Sequence, residues 1–394
     1  MRLLFYLGHP AHFHLFKNTI RYFKGKGDEV FVLIKKKDIL EDLLESEGMP
    51  YINIFPKTRG ASKFEMARTI LKRNFRLFNY CVKNKPDLLV GTSVENSHIG
   101  KLLRIPSINV NEDDHDVVPL YSQVSYPLAN TILSPVSCKT GKWEHKTIHY
   151  QGYHELAYLH PENFTPSLEI AKKYINIERP VFMIRFARLN AHHDKGIRGI
   201  DRKLAYRIVE KLKSYGDVYI SFEKGLHSEL EKYRICIDPT DIHHVMAFTD
   251  LYIGDSQTMA AEAGVLGTPF IRYNDFVGRI GYLNELEDHY RLGFGISPSD
   301  PGKLFSTMNY LLSLPYAREI FNKRRKRMLS EKIDVNQFLI WFIENFPESK
   351  SIMRHDSSFQ YKFTTRYTEN TLKDRKKSLS KIHTISGTVR MNQS

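Results

Sequence analysis

Two groups of residues carry chemistry that a phosphate-bearing, hydroxylated ligand would need. The first is the run Gly254-Asp255-Ser256-Gln257-Thr258-Met259-Ala260-Ala261-Glu262-Ala263-Gly264-Val265-Leu266-Gly267-Thr268-Pro269. The apolar residues Leu251 to Ile253 predict a strand that ends at Gly254. Small polar residues then cap a helix that stops at Gly267. The first turn of a helix exposes unpaired N–H groups at the positive end of its dipole, so Asp255, Ser256, Gln257 and Thr258 are placed to hold a diphosphate. Glu262 lies one turn further in, where a carboxylate accepts hydrogen bonds from a ribose. Its neighbours Ala260, Ala261, Ala263 and Val265 argue against a solvated surface charge. Strand, turn, helix and Gly-x-Pro also recur in α/β proteins without a ligand, so a purely structural role stays open.

The second group is spread over three other strand ends. Gly8-His9-Pro10-Ala11-His12-Phe13-His14 follows the apolar run Leu3 to Leu7, at the end of the strand where open α/β sheets bind ligands. It is not a Gly-x-Gly-x-x-Gly turn, and its histidines either act on a ligand, His12 foremost, or cap the helix. Glu112 and Asp113 belong to the run Asn109, Asn111, Glu112, Asp113, Asp114, His115 and Asp116 after the strand Ser107 to Val110, and are candidates for a general base. Arg185 and Arg188 follow the strand Val181 to Phe186 and would neutralise a departing diphosphate. His192-His193-Asp194 tempts a metal assignment, but neighbours on an extended segment point to opposite sides and no His-Glu-x-x-His or cysteine partner accompanies them. No metal and no cofactor are expected.

These residues need a scaffold that presents strand ends, and the chain predicts one. Strands at Leu3 to Leu7, Glu29 to Ile34, Tyr51 to Ile54, Asp87 to Val90 and Ser107 to Val110 alternate with helical patterns, the longest over 61–84. A Pro-containing stretch over 151–180 interrupts the rhythm. A second series then gives strands at Val181 to Phe186, Val218 to Phe222, Leu251 to Ile253 and Phe270 to Tyr273, followed by a helical segment 302–346 broken at Pro315. The fold class is therefore α/β, with two Rossmann-like domains facing a cleft. Residues 1–160 form the first domain, 161–347 the second, and 348–394 a basic tail with little to bury, expected to be disordered.

The segment from Asp255 and Ser256 through Glu262 to Leu266-Gly267-Thr268-Pro269 resembles the nucleotide-binding motif of the GT-B superfamily. It is most similar to UDP-N-acetylglucosamine 2-epimerases and the N-acetylglucosaminyltransferase of peptidoglycan synthesis. Together with Gly8-His9-Pro10-Ala11-His12, it resembles the family catalogued as domain of unknown function 354 over roughly residues 1 to 345. The resemblance implies a GT-B fold whose first domain takes the acceptor and whose second takes the nucleotide-sugar, a nucleotide-sugar substrate that is UDP-linked, Glu262 on the ribose and His12 in the position of the transferase's histidine. It also marks departures from the epimerases. Asn111 stands where they carry a Glu, Thr92-Ser93 where they carry an Asp, and their early Arg-Pro-Glu turn is absent.

Composition narrows the remaining classes. The 394 residues include 58 basic and 44 acidic ones, a net charge of +14. From Lys350 onward ten basic residues stand against three acidic ones, a surplus of seven that accounts for half the total. The rest of the chain shows no zinc-finger spacing or stacked-aromatic RNA motif, so no specific nucleic acid is expected. Cys81, Cys138 and Cys236 form no Cys-x-x-Cys pair, which fits a reducing compartment. No run approaches the ~18 apolar residues of a membrane span. The expected location is cytoplasmic, peripheral to the inner face of the membrane, where the basic tail and the face Lys63, Arg68, Lys72 and Arg76 would meet anionic lipid. Three functions fit: a metal-independent glycosyltransferase with a glycan or lipid-linked acceptor, a nucleotide-sugar 2-epimerase, and a noncatalytic nucleotide or polyanion binder. The transferase ranks first, because it requires only one base and charge stabilisation of the leaving group.

Overall fold

The structure, a computed structural model, describes residues 1–55, 63–186, 198–222 and 228–364. Its first half is a seven-stranded sheet built from β1 (Arg2–Leu7), β2 (Glu29–Lys35), β3 (Ile52–Phe55), β4 (Leu88–Gly91), β5 (Ser107–Val110), β6 (Thr131–Pro135) and β7 (Thr147–Tyr150). The order is β3-β2-β1-β4-β5-β6-β7, every pair parallel. Central strands covered by helices on both faces read as unbroken apolar runs, and Leu3 to Leu7 are all wholly buried. The second half is a five-stranded sheet of β8 (Val181–Arg185), β9 (Asp217–Ser221), β10 (Leu251–Gly254), β11 (Phe270–Tyr273) and β12 (Gly293–Ile296), ordered β12-β11-β10-β8-β9 and also parallel.

Each sheet reverses its winding once. In the first sheet successive strands run outward from β1 on one side and from β4 on the other. In the second the reversal lies between β8 and β10. At such a switch point two loops leave in opposite directions and open a crevice beyond the strand ends, where ligands bind.

The expected α/β architecture with two parallel sheets is found, with three strands more than the apolar runs indicate: β6, β7 and β12. The disorder expected from residue 348 onward is corrected for residues 348–364. Glu348–His355 is a helix and Ser357–Phe363 a 3-10 turn. Apolar side chains spaced among the charges explain this. Met353 is buried, Phe359 stacks on Trp341 at 4.6 Å, and Phe363 packs beside both. The chain has by then returned to the first half. In the helix Val335–Glu344, Asn336 accepts from Thr19 Oγ1 at 3.0 Å, and beyond it Lys350 Nζ donates to the Asn130 carbonyl at 2.6 Å. Packing thus places 335–363 on the first sheet's side, although 347 is where the composition changes. The basic residues from Arg366 onward lie outside the described residues.

Candidate functional site

The His12 cluster occupies the first switch point. β1 ends at Leu7, and Pro10–Gly25 forms a helix with Pro10 in its first turn and His9 as its cap, the His9 ring accepting from the Ala11 amide at 3.2 Å. One histidine therefore takes the capping role that the sequence left open. His12 does something different. Its Nδ1 accepts from the Gly8 amide at 3.1 Å, and the hydroxyl of Thr92, just beyond β4, lies within 2.6 and 2.8 Å of its two ring nitrogens. Burial, then the charges of His9, His154 and Lys35, hold its pKa well below the ordinary value. A neutral ring whose Nδ1 lone pair is taken carries its proton on Nε2, so His12 in this arrangement is a hydrogen-bond donor rather than a base.

Arg185 and the turn Asp255-Ser256 occupy the second switch point. Arg185 ends β8 beside Gly254 of β10, and its Nη1 donates to Ser221 Oγ at the end of β9 at 3.0 Å. Ser256 caps the helix Gln257–Leu266 by accepting from the Met259 amide at 3.3 Å. Its hydroxyl accepts there and keeps its proton to donate, so Ser256, the first-turn amides, Gln257 and Thr258 can face a ligand. Residues 255–259 are partly exposed, whereas the helix beyond is buried. Arg188 and the run His192-His193-Asp194 lie outside the described residues.

Glu262 is held through one of its two carboxylate oxygens. It is 5% exposed, and its Oε1 accepts from Tyr158 Oη at 2.8 Å and from His243 Nε2 at 2.9 Å. Tyr158 belongs to the short helix Leu156–Leu159 that crosses between the sheets, and His243 to the helix Ile242–Ala247. Both rings pack on His14 of the first helix, with centroids 5.2 and 4.9 Å away. The carboxylate expected to meet a ribose is thus held by donors from within the protein.

The loop after β5 divides by role. Asn109 is fixed by Ser125 and Tyr121, and Asn111 by Tyr126 and the Asp113 carbonyl. Asp114 accepts from the Lys139 amide at 2.8 Å and from the Gly281 amide at 2.6 Å, pinning the first half to the second. At Gly281 a side chain would strike the Ser137 carbonyl, so close approach there requires glycine. Asp116 is exposed, and His115 lies against Gly141. That leaves Glu112 and Asp113. Glu112 Oε2 accepts from the His154 amide at 3.0 Å, and its Oε1 lies 3.3 Å from His154 Nδ1. Burial pushes the Glu112 carboxyl well up, as do the charges of Asp113 and Glu262, against the opposing His154 amide. Burial also raises Asp113, opposed by His154 and reinforced by Asp114. A carboxyl raised in this way is a stronger base once ionised.

Three participants were not singled out from the sequence, His154, Glu155 and His243, and Thr92 was named only as a departure from the epimerases. Glu155 is wholly buried, and burial, then the charge of Glu112, raises its pKa well above the carboxylate range, with its own amide opposing and Glu262 adding. Glu112, Glu155 and Glu262, from the first half, the crossing segment and the second half, therefore lie within electrostatic reach of one another. Position could have revealed the role of Thr92, which directly follows β4. Among the described residues no three His, Cys, Asp or Glu side chains are grouped to hold a metal ion.

No curated protein matches this chain in sequence. Among solved structures it is similar to the UDP-GlcNAc 2-epimerase of Methanocaldococcus jannaschii, with 15% identity, 80% of this chain and 93% of that one covered, and a TM-score of 0.58. The UDP-GlcNAc 2-epimerase of Neisseria meningitidis bound to UDP-GlcNAc gives 16% identity, 82% and 94% coverage, and a TM-score of 0.58. The spinosyn rhamnosyltransferase SpnG, complexed with thymidine diphosphate, gives 14% identity, 88% and 100% coverage, and a TM-score of 0.60. At these identities the likeness establishes the fold, which is GT-B. The profile of the family described as protein of unknown function (DUF354) matches residues 3–277, which include both sheet switch points, and the chain belongs to that family.

Proposed function

We propose that the protein is a glycosyltransferase that moves a sugar from a nucleotide-sugar, UDP-linked, to a glycan or lipid-linked acceptor without a metal ion. One observation carries this reading: His12 lies at the switch point of the first sheet, Arg185 and the turn Asp255-Ser256 lie at that of the second, and Glu112 on one half lies within electrostatic reach of Glu262 on the other. In this reading the first turn after Ser256 and Arg185 receive the diphosphate, and Glu262 turns to the ribose once Tyr158 gives way. Glu112, with Asp113 beside it, takes the acceptor proton, and His12 donates a hydrogen bond to the reacting group. Nucleotide-sugar and nucleotide ligands named for similar structures, UDP-GlcNAc and thymidine diphosphate, support the substrate class.

A lipid-linked acceptor is supported by the helix Lys63–Asn84. Leu71, Phe75 and Val82 are 69%, 65% and 50% exposed on it, with exposed Arg68 and Lys72 alongside. Arg76 is tied to the Ile54 carbonyl at 2.6 Å. Among the described residues no helix is long and apolar enough to cross a membrane.

A second reading, nucleotide-sugar 2-epimerase, is favoured by the three neighbouring carboxyl groups, because removing and returning a C2 proton uses more than one acid–base group. Incubation with UDP-sugars in D2O separates the readings. A transferase releases UDP in proportion to acceptor and leaves C2 unlabelled. Deuterium at C2 with inverted configuration would replace the transferase with the epimerase. A binder gives neither product but is stabilised by ligand, by about 2.7 kcal/mol at a hundredfold excess over Kd.

A further inference from the structure

The crossing segment after β7 carries buried polar atoms that find no partner. Glu155 is wholly buried, and among the described residues neither carboxyl oxygen is hydrogen-bonded by another residue, its own amide alone acting on the group. Tyr150 ends β7, is also wholly buried, and its hydroxyl is unpartnered. The Nε2 of His154 is unpartnered too, while its Nδ1 faces Glu112 at 3.3 Å. Buried polar groups are nearly always satisfied, so several orphans within six residues require an explanation. They share one locality: Tyr150 lies within reach of the charges of Glu112 and Glu155, and Glu155 within reach of those of Glu112 and Glu262.

We infer that Glu155, His154 and Tyr150 form the seat of an uncharged sugar ring in the nucleotide-sugar, hydrogen-bonding its hydroxyls and rejecting sugars that bear a carboxylate. The inference rests on the nucleotide-sugar reading and adds the class of sugar.

The atoms fit a polyol. With Nδ1 turned to Glu112, His154 offers an acceptor at Nε2, Tyr150 offers a hydroxyl that donates or accepts, and a protonated Glu155 does both. Burial lowers the pKa of His154 to about 3, which keeps its ring neutral, and raises that of Glu155 well above the carboxylate range, which favours its protonated form. The three residues offer no cation to neutralise a phosphate. A uronate would bring a carboxylate into this buried site, where its charge would be desolvated with no cation among these residues to pair it.

The test is calorimetric titration of the full chain with UDP and dTDP, then with their glucose, N-acetylglucosamine and glucuronate derivatives. A neutral derivative should bind at least about tenfold more tightly than its nucleotide alone, and the glucuronate no more tightly than the nucleotide. Glu155→Leu should abolish the sugar's advantage while leaving nucleotide affinity within about threefold. Glu155→Gln, which keeps a neutral donor and acceptor, should retain most of it and serves as the folded comparison if the leucine variant is damaged. Nucleotide binding with an undiminished sugar advantage in both variants, or a preference for glucuronate, would overturn the seat alone. Failure of both nucleotides to bind the parent protein would overturn the nucleotide-sugar reading and the seat with it.

Discussion

Replacing Glu262 tests whether its carboxylate is kept for a ligand or only for packing. In the structure its Oε1 is shared by Tyr158 Oη at 2.8 Å and His243 Nε2 at 2.9 Å. Glu262→Ala leaves two buried donors without an acceptor, at about 1–3 kcal/mol each, and the thermal midpoint should fall by about 2–4 °C per kcal/mol. Glu262→Gln keeps a carbonyl oxygen in place and should cost far less. Nucleotide affinity discriminates further, because a ribose that takes Oε1 must displace Tyr158. Losing the ribose bonds in Glu262→Ala should weaken UDP or dTDP binding by about 1–3 kcal/mol, roughly 5- to 150-fold. Tyr158→Phe should act in the opposite sense. It removes a competing bond of about 1 kcal/mol, so the protein loses some stability but binds nucleotide about fivefold more tightly. Thermal unfolding and calorimetric titration of the three variants give both readouts. Unchanged nucleotide affinity in Glu262→Ala and Tyr158→Phe alike would refute the reasoning and make the cluster a structural clasp.

Three further outcomes follow from burial and charge. His154 titrates near 6.5 when unfolded and about 3 when folded, so its contribution is complete above pH 6.5 and is lost on acidification between those values, at up to about 1.4 kcal/mol per pH unit. His154→Gln should flatten the thermal midpoint's dependence on pH over that window, and parallel curves for the two proteins would contradict it. In the native protein a thiol reagent should modify the exposed Cys236. It should spare Cys81, pushed by burial to about 12, and Cys138, raised by burial and by Asp114 and Glu112; native labelling of Cys138 would count against the closed seam beside Glu112. Leu71→Ser with Phe75→Ser should reduce cosedimentation with phosphatidylglycerol vesicles several-fold and leave nucleotide binding unchanged. Equal sedimentation would remove the support for a lipid-linked acceptor.

What the sequence could show depended on whether a residue's role was local. β1 was legible because Leu3 to Leu7 are apolar without a break and buried on both faces. β12 was not, because its sequence is Gly293-Phe294-Gly295-Ile296. Side chains at those glycines would collide with the Phe270 ring and the Glu287 carboxylate, so close packing removed the pattern that marks a strand. β6 and β7 were hidden by Thr131, Ser134, Pro135, Thr147 and His149, polar or breaking residues in strands that are nonetheless almost wholly buried. The candidate site followed the same division. His12, Glu112, Arg185 and Ser256 each follow an apolar run, so their placement at strand ends could be read directly. The partners of Glu262 could not, because Tyr158 and His243 are 104 and 19 residues away and meet it only through packing. Residues 348–364 were misread because ten charges counted across the whole tail outweighed Met353, Phe359 and Phe363, whose burial depends on their arrangement and not on their number.

The crossing segment ties the relation of the two halves to the state of the site. The His154 amide donates to Glu112 in the first half, Tyr153 Oη to Glu285 and Tyr158 Oη to Glu262 in the second, all from one stretch of six residues. Lys332 fastens the same stretch from the returning chain, donating to Gln151 Oε1 at 3.2 Å and to Glu285 Oε1 at 2.8 Å. The two halves therefore cannot separate without changing the environment of Glu112 or of Glu262. Under the proposed function, a ligand hydroxyl that takes Glu262 from Tyr158 would loosen the segment that also carries His154 and Glu155, so occupation of one half would be felt by the proton-bearing groups of the other. In that reading the binding free energy of the nucleotide would help assemble the reacting centre. Substitutions along 150–158 should accordingly alter kcat and KM together, whereas substitutions at the first turn after Ser256 should act on KM first.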